Sequence, residues 1–194
     1  QQTRVELKIS LNPIAFLQGA GTNPFAGEES LMRDNLRSAG LIPTTSPYDI
    51  TVSVDAIVFD VTGPDAIVDW VEVELRQGAD NNSTTVVESV SAFMQRDGDI
   101  VALDGVSGLE LDVTPGDYYV AINHRNHLGV LTNNPLTLGT TATTADFTSS
   151  ASFIKNGNSA TSTLTNGNLS LIGGDVSEDG QIFFDDRSLI RSKI

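Results

Sequence analysis

Apolar and polar residues alternate with period two along most of this chain. Val5, Leu7, Ile9 and Leu11 alternate with Arg4, Glu6, Lys8 and Ser10, the pattern of a strand with one buried and one solvated face. Residues 50–61 predict a second strand and residues 68–75 a third. In the third, Val71, Val73 and Leu75 share one face and Trp70, Glu72 and Glu74 the other. The Gly78-Ala79-Asp80-Asn81-Asn82 cluster signals a turn, followed by a strand over residues 84–95. Asp97-Gly98-Asp99 reads as a tight hairpin into residues 100–103. Residues 109–113, the Pro115-Gly116 turn and residues 118–123 are expected to form the next pair of strands. Ser30 is expected to cap a short helix running to Ser38, with Leu31, Met32 and Leu36 on one side and Gly40 past its end. These elements predict a mainly β fold, an antiparallel β-sandwich of immunoglobulin-like or Greek-key type.

The composition shifts after Asn133. Between Phe147 and Gly174 the only charged side chain is Lys155. That stretch reads either as a flexible linker or as polar, neutral strands at 151–155 and 160–165, and its Thr-rich alternation favours strands. The chain therefore divides into a sandwich with its N-terminal strand (1–146), a neutral Ser/Thr/Asn-rich strip (147–174) and a C-terminal segment (175–194). The strip is where self-repulsion is weakest, and so where copies of the chain are expected to touch.

Charge narrows the choice of partners. The 194 residues carry 25 acids against 11 bases, a net charge of −14. Such a surface repels phosphate backbones and anionic lipid, which argues against nucleic acid, and favours metal cations. Cysteine is absent, so thiolate chemistry and disulfides are excluded. No apolar run reaches the roughly 18–20 residues of a membrane-spanning helix, so no membrane insertion is expected. The opening Gln1-Gln2-Thr3 is expected to be a mature end left by signal-peptide removal, which places the protein outside the cell or on its surface.

Residues 175–186 carry the clearest chemistry. Side-chain oxygens fall at loop positions one, three and five (Asp175, Ser177, Asp179) and Gly180 stands at six. Gln181 at seven offers its backbone carbonyl, Ile182 is an apolar anchor and Asp186 closes the loop at twelve. This is the ligand spacing of an EF-hand-type Ca²⁺ loop, in which alternate residues of a tight turn direct their oxygens to one point. Phe183 at position nine leaves that ligand to a water.

The stretch 174–182, followed by Asp186-Arg187-Ser188-Leu189-Ile190, is similar to the calcium repeat of dockerins. The remainder resembles extracellular β-rich proteins of Bacteroidota that carry such repeats near their C-termini. The matching stretches are 31–37, 40–43, 69–76, 95–99 and 124–129. The resemblance implies secretion and surface display. Dockerins that bind cohesins have two repeats and this chain has one, so the expected role of its calcium is structural.

Other candidates read more blandly. His124-Arg125-Asn126-His127 follows a strand and is expected to be a hydrogen-bonded loop in preference to a zinc site. Asp97, Asp99 and Asp104 are expected to be a solvated hairpin, with a weak cation site as the alternative. Trp70 is expected to pack under a helix or loop, the alternative being an exposed sugar-binding platform. Tyr118-Tyr119 after Pro-Gly resembles a sandwich corner, where a hydroxyl bonds backbone near the turn. No phosphate loop, Gly-x-Ser-x-Gly motif or paired-acid constellation stands out, so catalysis is not expected.

The sequence thus predicts a secreted, calcium-stabilised structural protein that assembles through its N-terminal strand into an extracellular fibre or matrix. Val5, Leu7, Ile9 and Leu11 would fill pockets of a neighbouring subunit. The rival expectation is an adhesin or carbohydrate-binding sandwich module with a glycan as partner.

Overall fold

The computed structural model describes residues 8–23 and 25–192. Its strands in chain order are β1 (Ile9–Ile14), β2 (Ile67–Gly78), β3 (Thr84–Gln95), β4 (Ile100–Val101), β5 (Leu109–Leu111) and β6 (Gly116–His124), then β7 (His127–Leu131), β8 (Leu136–Leu138), β9 (Thr143–Asp146), β10 (Thr161–Thr163) and β11 (Leu169–Leu171). Two α-helices join them, α1 (Asn35–Ser38) and α2 (Phe184–Ser192). The protein is mainly β, with several antiparallel sheets and few helices.

The largest sheet runs β4-β3-β2-β6-β7, with β8 pairing the start of β6. A three-stranded sheet has the order β5-β1-β9, antiparallel on the β5 side and parallel on the β9 side. β10 and β11 form a separate antiparallel pair, and β11 touches the chain beyond β1 through a Leu17–Leu171 bridge.

The alternation of β2 organises the interior. Val71, Val73 and Leu75 are fully buried beside Val120 and Ile122 of β6, in one cluster with Ile9 and Leu11 of β1 and Leu109 and Leu111 of β5. The opposite row begins with Trp70, which is also fully buried. It lies in a second cluster with Ile42, Ile67, Phe93 and Val101, covered by Tyr48, Val52, Val54, Val58 and Phe59. The Trp70 ring stands 4.2 Å from that of Phe93, and its indole N–H donates to the Pro43 carbonyl at 2.8 Å. Trp70 is therefore packed under a loop and offers no sugar-stacking platform.

The covering segment corrects one expectation. Residues 50–61 form a turn, an isolated Thr45–Ser53 bridge and a 3-10 helix over Ala56–Asp60. Asp55 starts that helix by accepting the Ile57 N–H at 3.0 Å, and Ile50 stays 85% exposed. The alternating Val52, Val54 and Val58 are apolar because they roof Trp70 and Phe93.

Three further expectations change. The helix expected from Ser30 is confined to the single turn of α1, because Met32 is held in the core with its N–H on the Arg96 carbonyl. Residues 151–155 hold a 3-10 turn at Ala151–Phe153 and not a strand. β5 pairs with β1, so it is not the hairpin partner of β6. The neutral strip is partly interior: Phe147, Ile154, Ala160 and Leu171 belong to the main core. By contrast β2, β3 and the Asp97–Asp99 hairpin stand where the alternation put them, and the Tyr118 hydroxyl donates to the Thr114 carbonyl at 2.7 Å as a corner tyrosine should.

Of the four residues expected to lead the N-terminal strand, Ile9 and Leu11 are buried within their own chain. Val5 and Leu7 lie outside the described residues. No helix among the described residues is long and apolar enough to cross a membrane.

Trp70→Ala removes the side chain on which the second cluster rests. It should cost about 3–5 kcal/mol of unfolding free energy, measured by urea denaturation.

Candidate functional site

Two sites lie at either end of one structural arc: a buried Asp–His–His chain and the acidic C-terminal loop. Asp69 is the second partner in the irregular start of the β2–β3 pairing, where the register shifts between Ile67 and Asp69. Its carboxylate is 2% exposed and therefore demands partners. Arg125 donates to both of its oxygens, at 3.0 and 2.8 Å, from the β6–β7 turn. His124 Nε2 lies 3.3 Å from Oδ2.

The neighbouring groups dictate the tautomers. The Gly19 N–H donates to His127 Nε2 at 2.9 Å, so that nitrogen carries no proton and Nδ1 does. His127 Nδ1–H then donates to His124 Nδ1 at 2.9 Å, which also accepts the Asn126 N–H at 3.2 Å. The remaining proton of His124 is on Nε2 and points at Asp69. All four ring nitrogens are committed inside the protein. The pair is neither a zinc site nor a free acid–base couple but the hydrogen-bonded hairpin expected from its position after a strand.

Electrostatics follow from this arrangement. Burial pushes Asp69 up, but the His124 hydrogen bond and the Arg125 charge outweigh it and hold the carboxyl below its usual value. Burial, with the adjacent His124, pushes His127 down to about 3. Burial likewise raises the Tyr48 phenol, whose oxygen accepts the Arg125 N–H at 2.9 Å. The hairpin is pinned on its far side too. Leu128 N–H donates to the Ile172 carbonyl and Gly174 N–H to the Asn126 carbonyl, at 2.8 and 2.9 Å. Gly19 is closely packed: a Cβ there would stand 3.0 Å from His127 Nε2, so the imidazole would have to shift.

That pinned backbone leads directly into the acidic loop. Asp175 accepts the N–H groups of Asp179 and Gly180 at 3.2 and 3.0 Å. Asp186 Oδ1 accepts from Val176 and Ser177, and its Oδ2 from Phe183, each at 2.9 Å. These backbone donors, that of Phe183 foremost, lower Asp186 to about 2. Gly180 at loop position six has φ +78°, the sharp turn such a loop requires, and Glu178 adopts φ +60° two residues earlier. Asp175 and Asp186 are 3% and 2% exposed.

The sequence-predicted ligands are thus only partly gathered. Asp175 and Asp186 turn inward, whereas Asp179 is exposed and accepts the Gln181 N–H at 2.9 Å. Gln181 is exposed. Ser177 Oγ is buried and close enough to Asp186 to favour its charge, yet it completes no hydrogen bond. Among the described residues no three Asp, Glu or His side chains converge as a ready metal cage. The donor set nevertheless fits a hard cation: two buried carboxylates and an orphaned hydroxyl around one turn, all oxygen.

The second candidate acidic group is a turn. Asp104 accepts from the Val106 and Ser107 N–H groups and from the Ser107 hydroxyl. Asp97 accepts the Asp99 N–H and is raised by burial and by its neighbours Asp99 and Asp65.

Sequence reasoning missed Asp69 as the hub. Its signal was a lone carboxylate inside the apolar run Ile67-Val68-Asp69-Trp70-Val71. No protein-family model matches the chain, and neither a curated protein nor a solved structure matches it.

Because folded His127 binds its proton far more weakly than the free side chain, the unfolded state takes up more protons below pH 6.5. Stability is full above that value and declines as pH falls towards 3. Thermal melts across this range should show the decline, and His127→Asn, which takes up no proton, should flatten it.

Proposed function

We propose that this chain is a secreted, non-enzymatic structural protein, stabilised by calcium, that assembles into an extracellular fibre or matrix by exchanging its first strand between subunits. The observation that carries the proposal is the position of β1. It is the first strand among the described residues, yet it lies between β5 and β9 and supplies the pairing partner of both. Without β1 that sheet has no centre, and the row of Ile9 and Leu11 leaves the core open. A second copy's β1 offers the same backbone bonds and the same apolar row, and a head-to-tail exchange of this kind propagates without closing. The link that follows, from Gln18 to Leu31, is turn and irregular chain at its described residues.

The shared core of the three-stranded and the large sheet supports reading the architecture as an antiparallel sandwich. The similarity of the C-terminal stretch to dockerin repeats supports secretion and surface display. For calcium, support comes from the buried Asp175 and Asp186, the unpartnered Ser177 Oγ and the turn at Gly180. Ca²⁺ there would join Asp175, Ser177, Asp179, the Gln181 carbonyl and Asp186, supplying positive charge that offsets their mutual repulsion and fixes the tail. Full internal commitment of both histidines supports a structural role in place of a catalytic one.

Strand exchange is tested by a covalent trap. Ser10 faces Glu110 across β1 and β5, and the Ser10 N–H points away to the Gly139 carbonyl, so the pair is of the close, non-hydrogen-bonded kind. In a chain without cysteine, Ser10→Cys with Glu110→Cys is the sole disulfide available. Oxidised assemblies should run as a ladder of covalent multimers on non-reducing gels. Monomers alone, from material that forms fibres, would refute exchange.

Calcium is tested separately. Calorimetric titration should show one Ca²⁺ bound per chain, weakened by about tenfold or more in Asp175→Asn and Asp186→Asn. EDTA should speed proteolysis after Arg187 and Arg191; unchanged cleavage would rule out a structural ion.

A further inference from the structure

Beyond assembly, the outer face of the large sheet carries a groove of about 810 Å³. The loop over Trp70 covers only one end of that face. Further along β2 the same row continues as Glu72, Glu74 and Arg76, which stand opposite Asn123, Ala121 and Tyr119 of β6. Walls rise from the Asn81–Asn82 turn, from Lys155 and Asn156, and from the acidic C-terminal loop at Glu178. We propose that this groove binds a neutral oligosaccharide chain.

Three observations point there. First, the floor is set before any ligand arrives. Glu72 Oε1 accepts the Ser89 hydroxyl at 2.6 Å and its Oε2 accepts the Asn123 amide at 3.2 Å. Arg76 donates to Glu74 at 2.5 Å and to the Thr84 hydroxyl at 3.0 Å. Side chains already ordered lose little entropy on binding.

Second, two exposed amides on the walls are bonded by no protein group among the described residues and so are open to a ligand. The side chains of Asn82 and Asn156 make no hydrogen bond to the described residues, although both line the groove. Asn156 is held at φ +65°, a conformation that Asn tolerates better than most residues. Carboxylates and amides are planar groups with paired polar atoms. They suit the neighbouring hydroxyls of a sugar ring, each of which both donates and accepts.

Third, the charges select against other ligands. Arg76 is neutralised by Glu74, and Lys155 is engaged with the Asn81 carbonyl at 2.5 Å. What remains is acidic, on a chain of net charge −14, and that repels uronate or sulfated polymers. The lining is more polar than apolar, which favours a hydroxyl-rich ligand over an apolar one. Glu72, already accepting two hydrogen bonds, is better matched to hydroxyl groups than to a cationic peptide.

Native affinity electrophoresis of the full chain tests this, in gels containing galactomannan, mixed-linkage β-glucan or xylan, with alginate and polylysine as charged controls. At least one neutral gel should retard the protein and alginate should not. Glu72→Gln should weaken the retardation about fivefold, the equivalent of one lost hydrogen bond. Asn156→Gly removes the amide while allowing the same backbone, so it should weaken binding with melting unchanged, whatever Glu72→Gln does to folding. Mobility unaltered by all three neutral polymers overturns the proposal. So does retardation that both variants leave intact, or retention by polylysine alone.

Discussion

A carboxylate in the interior must be answered by other groups, and much of this protein is arranged around answering Asp69. The residue sits on the central strand of the large sheet, where burial alone would neutralise it. Arg125 and His124 hold its charge, His127 orients His124, and the Gly19 backbone orients His127. The links come from three parts of the chain: β2, the β6–β7 hairpin and the turn after β1. The β6–β7 hairpin, the turn after β1 and the backbone leading to the acidic loop are therefore fixed relative to β2 by one polar chain. Breaking a middle member would leave a buried charge or donor unanswered, which is costlier than losing the bond itself.

Much of the fold was legible because period-two alternation is a direct imprint of a sheet with unlike faces. β2 and β3 follow it closely, and the corner tyrosine and the bonded His hairpin followed from position beside turns. Residues 50–61 show its limit. A segment laid over an apolar patch also needs alternate apolar residues, and only Asp55 and its helix-starting bond tell it from a strand. The pairing of β5 with β1 was hidden for another reason: adjacent strands suggest a hairpin, whereas burial of Leu109 and Leu111 is satisfied by a partner distant in sequence.

The sites were legible in unequal measure. Loop spacing gave Asp175, Ser177 and Asp186 their inward places, because a turn of fixed length must direct those positions inward. The same spacing expected Asp179 to turn inward as well, and it faces out. Alternation placed Glu72 and Glu74 on the face opposite Val71 and gave no sign of a groove there. Only the tertiary arrangement, with a loop roofing Trp70 and walls from three other segments, turns that face into a groove.

The parallel contact between β1 and β9, with the Leu17–Leu171 bridge beyond it, also sets an order of events. Local hairpins such as β2–β3 and β6–β7 can close while the chain is still emerging. β1 cannot, because its partners β5 and β9 lie far along the sequence, and closing so long a loop is slow. Between those two moments the molecule is a nearly finished body with an unfilled slot and an untucked leading end. Under the proposed exchange, chain concentration during that interval, more than any property of the finished fold, decides whether the slot is filled from within or by a neighbour.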